Sequence, residues 1–249
     1  MARARSDPSP ITHHSSLSGL SRSTLERLAK LGIHSQLDLV LHLPARYDDE
    51  TKLQSIGAAP AGEPVLVEGR VVKCEIQFRP RRQLACHIED GSGVLTLRFI
   101  NFYQSQQAQL EEGAHVRAFG EIRQGFRGPE MIHPRYRVVQ PGTPIAQVLT
   151  PVYPTTAGLS QDALRRLIAK ALAGSNLEDT LPGSVLESLG LPPFEESVRL
   201  LHNPSPQIAR AALEGRRLPA WRRVKFDELL AQQLSMRQHY RRRKAAGAP

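Results

Sequence analysis

Arg79, Arg81 and Arg82 crowd one short loop of this chain, and Arg123, Phe126 and Arg127 crowd another. Between them in sequence, Arg98, Ile100, Phe102 and Tyr103 fall on the outward face and at the end of a third segment. Guanidinium forks suit the oxygens of phosphates, and aromatic or apolar side chains suit the faces of unstacked bases, each stacked base contributing roughly 1–3 kcal/mol. Cations interleaved with flat apolar groups are therefore the chemistry of a nucleic-acid contact surface. The bland readings stay open beside it. The arginines also fit solvated hairpin tips, and Phe102 and Tyr103 also fit packing against a short polar helix at residues 104–112.

Other chemistry has little to stand on. The sequence holds no GxxxxGK[ST] phosphate loop, no GxGxxG after a strand, no GxSxG elbow and no HExxH. Its nine histidines show no ligand spacing with each other or with the cysteines, which argues against zinc. The acidic triplet Asp48-Asp49-Glu50 fits a solvated loop better than a magnesium site. No catalytic residue, metal or cofactor is expected in this chain. Cys74 and Cys86 flank a hairpin almost symmetrically and read as two reduced, buried thiols of a cytosolic protein.

Elements must hold the cationic loops in place, and the sequence supplies them. From residue 64 to 139 the pattern has period two, with glycine-rich turns. Val65, Val67, Val71 and Cys74 mark a long first strand in which Gly69 allows a bend. Residues 84–89 form a second strand. Asp90-Gly91-Ser92-Gly93 supplies a turn tolerant of positive φ, and residues 94–102 a third strand with Leu95, Leu97 and Phe99 inward. A polar helix follows, then strands at 114–123 and 130–139. Three strands, a helix and two strands in about 75 residues is the element order of an OB-fold. The expected fold is thus mixed α and β, a five-stranded OB barrel flanked by an N-terminal helical unit and a C-terminal helical connector.

The flanks are helical. Ser23 with Glu26 reads as a capping box, Gly32 ends that helix, and Ser35 with Asp38 opens a second. Leu31-Gly32-Ile33-His34-Ser35 resembles half of a helix-hairpin-helix, although plain packing serves it better. Ser160 caps a helix carrying Leu164, Leu167, Ile168 and Ala171. Another runs from Pro192-Pro193 to Asn203-Pro204, and a last one starts near Pro219 and ends in Arg241-Arg242-Arg243-Lys244. The expected divisions are a mobile 1–16, a helical 17–60, the barrel at 61–140, a connector at 141–218 and a basic linker helix at 219–249.

Charge follows this division. The chain carries a net charge of +9, and residues 210–249 alone hold eleven Lys/Arg against three acids, whereas 62–140 hold eleven against nine. Polyanions are the partners such a balance suits, but on the barrel only local clustering can supply a contact. No run of roughly 18 or more apolar residues exists, so no membrane partner is expected. The basic N-terminus lacks the apolar segment of a secretion signal.

Five stretches, in order, resemble the N-terminal region of the RecG helicases. They are Leu43-Pro44-Ala45-Arg46-Tyr47-Asp48-Asp49, the Asp90-Gly91-Ser92-Gly93 turn with residues 95–102, Met131-Ile132-His133-Pro134, residues 149–156, and Leu201-His202-Asn203-Pro204 leading to Phe226-Asp227-Glu228-Leu229-Leu230. The resemblance implies a wedge domain, an OB-fold that grips a branched DNA junction and splits its strands while a helicase motor pulls duplex. It implies partners: branched DNA, single-stranded DNA at the junction, and the motor domains of the same full-length protein. ATP and Mg are implied only for that motor, which belongs after residue 249. Replication forks, Holliday junctions, recombination, repair and a bacterial, cytoplasmic, nucleoid-associated setting follow from the same resemblance. One departure stands out. The family often has an aromatic directly after the position of Phe99, where this chain has Ile100.

The expected function is structure-selective binding of forked DNA by Arg79, Arg81, Arg82, Arg98, Ile100, Phe102, Tyr103, Arg123, Phe126 and Arg127. Two rivals remain: a general single-stranded DNA or RNA-binding OB module, and an adaptor whose barrel binds protein.

Overall fold

A computed structural model describes residues 17, 19–79, 81–126, 128–208 and 210–245. The N-terminal stretch 1–16, expected to be mobile, lies outside the described residues. In chain order the elements are α1 (Arg22–Ala29), α2 (Gln36–Leu41), β1 (Arg46–Asp48), β2 (Leu53–Gln54), a 3-10 turn (Ile56–Ala58), β3 (Pro64–Gln77), β4 (Gln83–Glu89), β5 (Val94–Phe99), α3 (Gln104–Gln109), β6 (His115–Gly125), β7 (Gly128–Ile132), β8 (Arg135–Val138), β9 (Thr150–Val152), α4 (Gln161–Gly174), α5 (Gly183–Leu189), α6 (Phe194–His202), α7 (Arg210–Glu214) and α8 (Pro219–Ala245). They fall into two compact units. One spans 47–150 with 203–209; the other gathers the N-terminal helices, 151–202 and the chain from 210 onward.

In the first unit the alternating valines make β3 long, and its length closes the sheet. Its first half, Pro64 to Arg70, pairs antiparallel with β6, and its second half, from Arg70 to Gln77, pairs with β4. With β4–β5, β5–β7 and β7–β6 pairings added, five strands join in a ring. One strand serves two neighbours because it bends. The register shifts between Val71 and Lys73. A Cβ on Gly69 would stand 2.8 Å from the Glu89 carbonyl oxygen, so only glycine lets the two backbones approach there. Val67, Val71, Leu84, Cys86, Ile88, Leu95, Leu97, Val116 and Met131 fill the interior.

The turn between β4 and β5 is held by one carboxylate. Asp90 accepts from the Ser92 backbone (2.9 Å) and hydroxyl (2.6 Å), from Gly93 N–H (3.2 Å) and from Ile56 N–H (2.8 Å). Burial opposes its charge, yet the hydrogen bonds from Ser92, Ile56 and Gly93 prevail and hold its pKa below the ordinary value.

Three expectations are corrected in detail. The fifth strand is two: β7 pairs with β5 and β6, and β8 pairs farther along β6. His133, at φ 50° and ahead of Pro134, turns the chain between them. Cys74 and Cys86 are direct cross-strand partners joined in a disulfide rather than two free thiols. The acidic triplet is partly engaged, since Arg135 pairs with Asp48 (2.8 Å) and Glu50 (2.9 Å) while its guanidinium lies 4.8 Å over Phe119.

The helical unit has its own core, with Leu28, Leu39, Val40, Tyr153, Leu164, Ile168 and Val198. Ser35 and Asp38 form the expected capping box, whereas α1 is capped not by Ser23 with Glu26 but two residues earlier, by Ser21 accepting from Thr24 N–H. α5 and α7 have no counterpart in the sequence reading. Buried Arg223 is held by Asp179 (2.5 Å), Asp227 (3.0 Å) and the Pro192 carbonyl (3.0 Å). Among the described residues no helix is long and apolar enough to cross a membrane.

His202 is the titratable centre of this unit. Its Nε2 lies 2.8 Å from the Val40 carbonyl, so that nitrogen donates, and Nδ1 accepts from the Tyr153 hydroxyl at 2.7 Å. Burial pushes its pKa down to about 4, the nearby His42 pushes the same way, and the Val40 hydrogen bond opposes only partly.

Two outcomes are expected. His202 is neutral in the fold while the unfolded chain takes up a proton below 6.5, so stability falls as pH drops from 6.5 toward about 4. The loss is about 1.4 kcal/mol per pH unit and about 3 kcal/mol in all. Urea unfolding across that window should show it, and His202→Gln should flatten it; an equally steep variant contradicts the assignment. Separately, Gly69→Ala should lower barrel stability by about 1–3 kcal/mol in the same assay, because the methyl must displace Glu89 backbone.

Candidate nucleic-acid interface

The barrel's outer face is built by the residues that alternate with its core. Strand pairing carries one row across it, Lys73–His87–Thr96–Glu130–Arg123, and a second, Glu75–Ala85–Arg98–Ile132. Every cation in these rows has an anion beside it. Lys73 meets Glu75 at 2.6 Å, Arg98 meets Glu130 at 2.8 Å, and Arg123 meets Glu121 at 3.0 Å. The Lys73 ammonium holds the Glu75 carboxyl below its ordinary pKa, and the Arg123 guanidinium does the same for Glu121. Three positive and three negative charges cancel, so this face offers a polyanion no net attraction.

The β3–β4 tip is different. Arg79, Arg81 and Arg82 are all exposed, and among the described residues no carboxylate pairs with them. Register brings further expected residues to the same end of the sheet. Gln77 opposes Gln83 and Leu84 opposes Phe99, so the chain leaving β5 runs beside the tip. There the Arg82 guanidinium lies 4.4 Å above the Phe102 ring, an arrangement that fixes the arginine while leaving its charge unneutralised. Phe102 is half-buried against the barrel core, Ile100 is half-buried with its N–H 3.3 Å from His133 Nε2, and Tyr103 projects 78% exposed at the start of α3.

The second loop sits elsewhere. β7 runs parallel to β5 with Thr96 opposite Glu130, which puts the β6–β7 turn beyond the Val94 end of β5, away from Phe99. Phe126 is fully exposed there and Arg123 is tied to Glu121; Arg127 lies outside the described residues. The structure thus gathers Arg79, Arg81, Arg82, Ile100, Phe102 and Tyr103 at one end. It leaves Arg98 paired in the middle and sets Arg123 and Phe126 at the other end. The two tips bracket the outer face.

Sequence reading passed over Phe78, which is 71% exposed beside Arg79. Its signal was available, an aromatic immediately ahead of a basic turn at the end of an otherwise alternating strand.

Comparison with known proteins places this arrangement. Residues 15–174 match the family model described as the RecG wedge domain. The ATP-dependent DNA helicase RecG of Escherichia coli (strain K12) is 44% identical over 227 residues, covering 89% of this chain and 32% of that protein. The ATP-dependent DNA helicase RecG of Haemophilus influenzae is 39% identical over 235 residues, covering 92% and 33%. The chain spans about a third of the length of the curated relatives it matches. A solved structure of RecG bound to a three-way DNA junction is similar in fold, with a TM-score of 0.66 at 23% identity over 98% of this chain and 33% of that one. The ring of five strands, its helical flanks and a match spanning well over half the residues lead to one assignment: the chain belongs to the RecG family and carries its wedge domain.

Proposed function

We propose that this chain is the DNA-gripping part of a RecG-like, ATP-dependent helicase, and that it binds branched DNA through the β3–β4 end of its barrel. The observation that carries the reading is the placement of charge. Where the two rows across the barrel's outer face balance their charges in pairs, three arginines with no carboxylate partner among the described residues stand at one tip, beside exposed aromatic rings. A barrel end of that kind holds phosphates with its forks and presents flat groups to bases exposed at a branch. The barrel itself acts as a steric wedge, and translocation belongs to motor domains that use ATP and Mg and lie elsewhere in the protein. Arg123 and Phe126 serve the far rim of the same face, and Arg98 positions Glu130 and Gln77 more than it meets phosphate. Sequence preference is slight, because guanidiniums on phosphates and rings on base faces read no base edge. Remodelling of replication forks and Holliday junctions in recombination and repair, at the bacterial nucleoid, is the role this activity fits. The relatives' names support the coarser part of this reading, an ATP-dependent DNA helicase.

Fluorescence anisotropy of the chain with a three-way fork, a matched duplex and a single strand, at two salt concentrations, tests the proposal. The wild type should prefer the fork. Replacing Arg79, Arg81 and Arg82 together by alanine should weaken fork binding and lower the salt slope by about two to three units, close to one per lost phosphate contact. Unchanged affinity and slope remove the tip from the contact surface. Preference for the unbranched strand favours a general single-strand module instead.

A further inference from the structure

Phe78 lies one residue beyond the last rung of the β3–β4 ladder, Gln77 opposite Gln83, and is 71% exposed. It takes no part in the cluster that packs Phe99 and Phe102. A lone exposed apolar side chain is ordinary; its neighbours set this one apart. Arg79, Arg81 and Arg82 follow it directly and lack carboxylate partners among the described residues. The other flat groups at this end are largely used. Phe102 has one face under Arg82 and is packed against the core, and Ile100 has no π-face. The rings open to a ligand here are Phe78 and Tyr103.

We infer that Phe78 stacks on a nucleobase of the branched DNA while Arg79, Arg81 and Arg82 hold the phosphates that flank it. The inference rests on the fork-binding reading above. Its chemistry is the face of a base, which comes from two sources: a base left unpaired at the branch, or a base step of an arm that an apolar wedge opens. Phe78 would then supply, from the hairpin tip, the stacking surface that Ile100 lacks.

The test places 2-aminopurine in a three-way junction, either at the branch or a few base pairs inside an arm. Emission and fork affinity are then followed with the full chain and with Phe78→Ala, Phe78→Leu and Phe78→Trp. Wild type should change the emission at one of the two positions; response at the branch identifies an unpaired base, and response inside the arm identifies a base step. Phe78→Ala should abolish the response and weaken fork binding about five- to hundredfold, with the salt slope unchanged because no charge is lost. Phe78→Leu should weaken the response and Phe78→Trp should preserve it. Thermal melting of all four proteins should coincide, since the side chain is exposed, and the Leu–Trp contrast separates stacking from any loss of fold. Wild-type emission and affinity in Phe78→Ala, or no response at either position, overturns the inference and leaves the fork reading intact. A wild-type chain without fork preference overturns both.

Discussion

The passage of β3 from β6 to β4, over Gly69 to Lys73, is the constraint on which the barrel depends. A strand that stayed straight would keep one neighbour, and β6 or β4 would be left as an open edge with unpaired backbone groups. Because Gly69 lets β3 pass close to Glu89, the same strand completes the ladder on both sides and the five-stranded ring closes. Closure fixes where everything else falls. It turns Val67, Val71, Leu84, Leu95 and Leu97 inward and sends the intervening polar residues outward. It also projects the end of β3, with its basic turn, past the body of the sheet.

Charge is then sorted by position. Along the ring, long cationic side chains lie beside glutamates on the same or the adjacent strand, and they pair. Inside the same unit, Arg117 is buried with Glu68 at 2.5 Å and with the Thr143 and Pro144 carbonyls at 2.6 and 3.0 Å, so its charge ties down the loop after β8. Arg135 does comparable work with Asp48 and Glu50. A count of Lys and Arg therefore overstates what the barrel can offer to phosphate. The β3–β4 tip differs because, among the described residues, no carboxylate pairs with Arg79, Arg81 or Arg82. The proposed selectivity for a branch rests on this geometry: one cationic end beside exposed rings suits phosphates and exposed bases together, a pairing that an intact duplex does not provide.

Much of this was legible in the sequence. Period-two valines and leucines gave the strands, and the Asp90-Gly91-Ser92-Gly93 turn was read correctly because its chemistry is local. The Ser35–Asp38 capping box was legible for the same reason. What escaped was non-local. Nothing in the residue order says that Glu130 pairs with Arg98, because β7 joins β5 only after a helix and another strand have intervened. Nor does it say that β7 and β8 divide at His133, whose positive φ is uncommon for a residue other than glycine. The disulfide between Cys74 and Cys86 depends on a register that spacing alone leaves open. Phe78, an aromatic just ahead of a basic turn, fits core packing as well as contact in the sequence, and its exposure separates the two. Of the ten residues expected to form one binding surface, the nine described fall at a charged tip, a paired centre and a separate far turn.

Hydrogen–deuterium exchange of the whole chain, with and without a three-way junction, tests most directly which surface meets DNA. The chain carries a rival in its basic C-terminal helix, where residues 241–244 are all cationic and exposed. If the barrel end grips the branch, bound junction slows exchange at residues 77–83 and 99–103 and leaves residues 237–245 as they were. Protection confined to 237–245, with the β3–β4 tip exchanging as in the free chain, would contradict the account and make the helix the DNA contact.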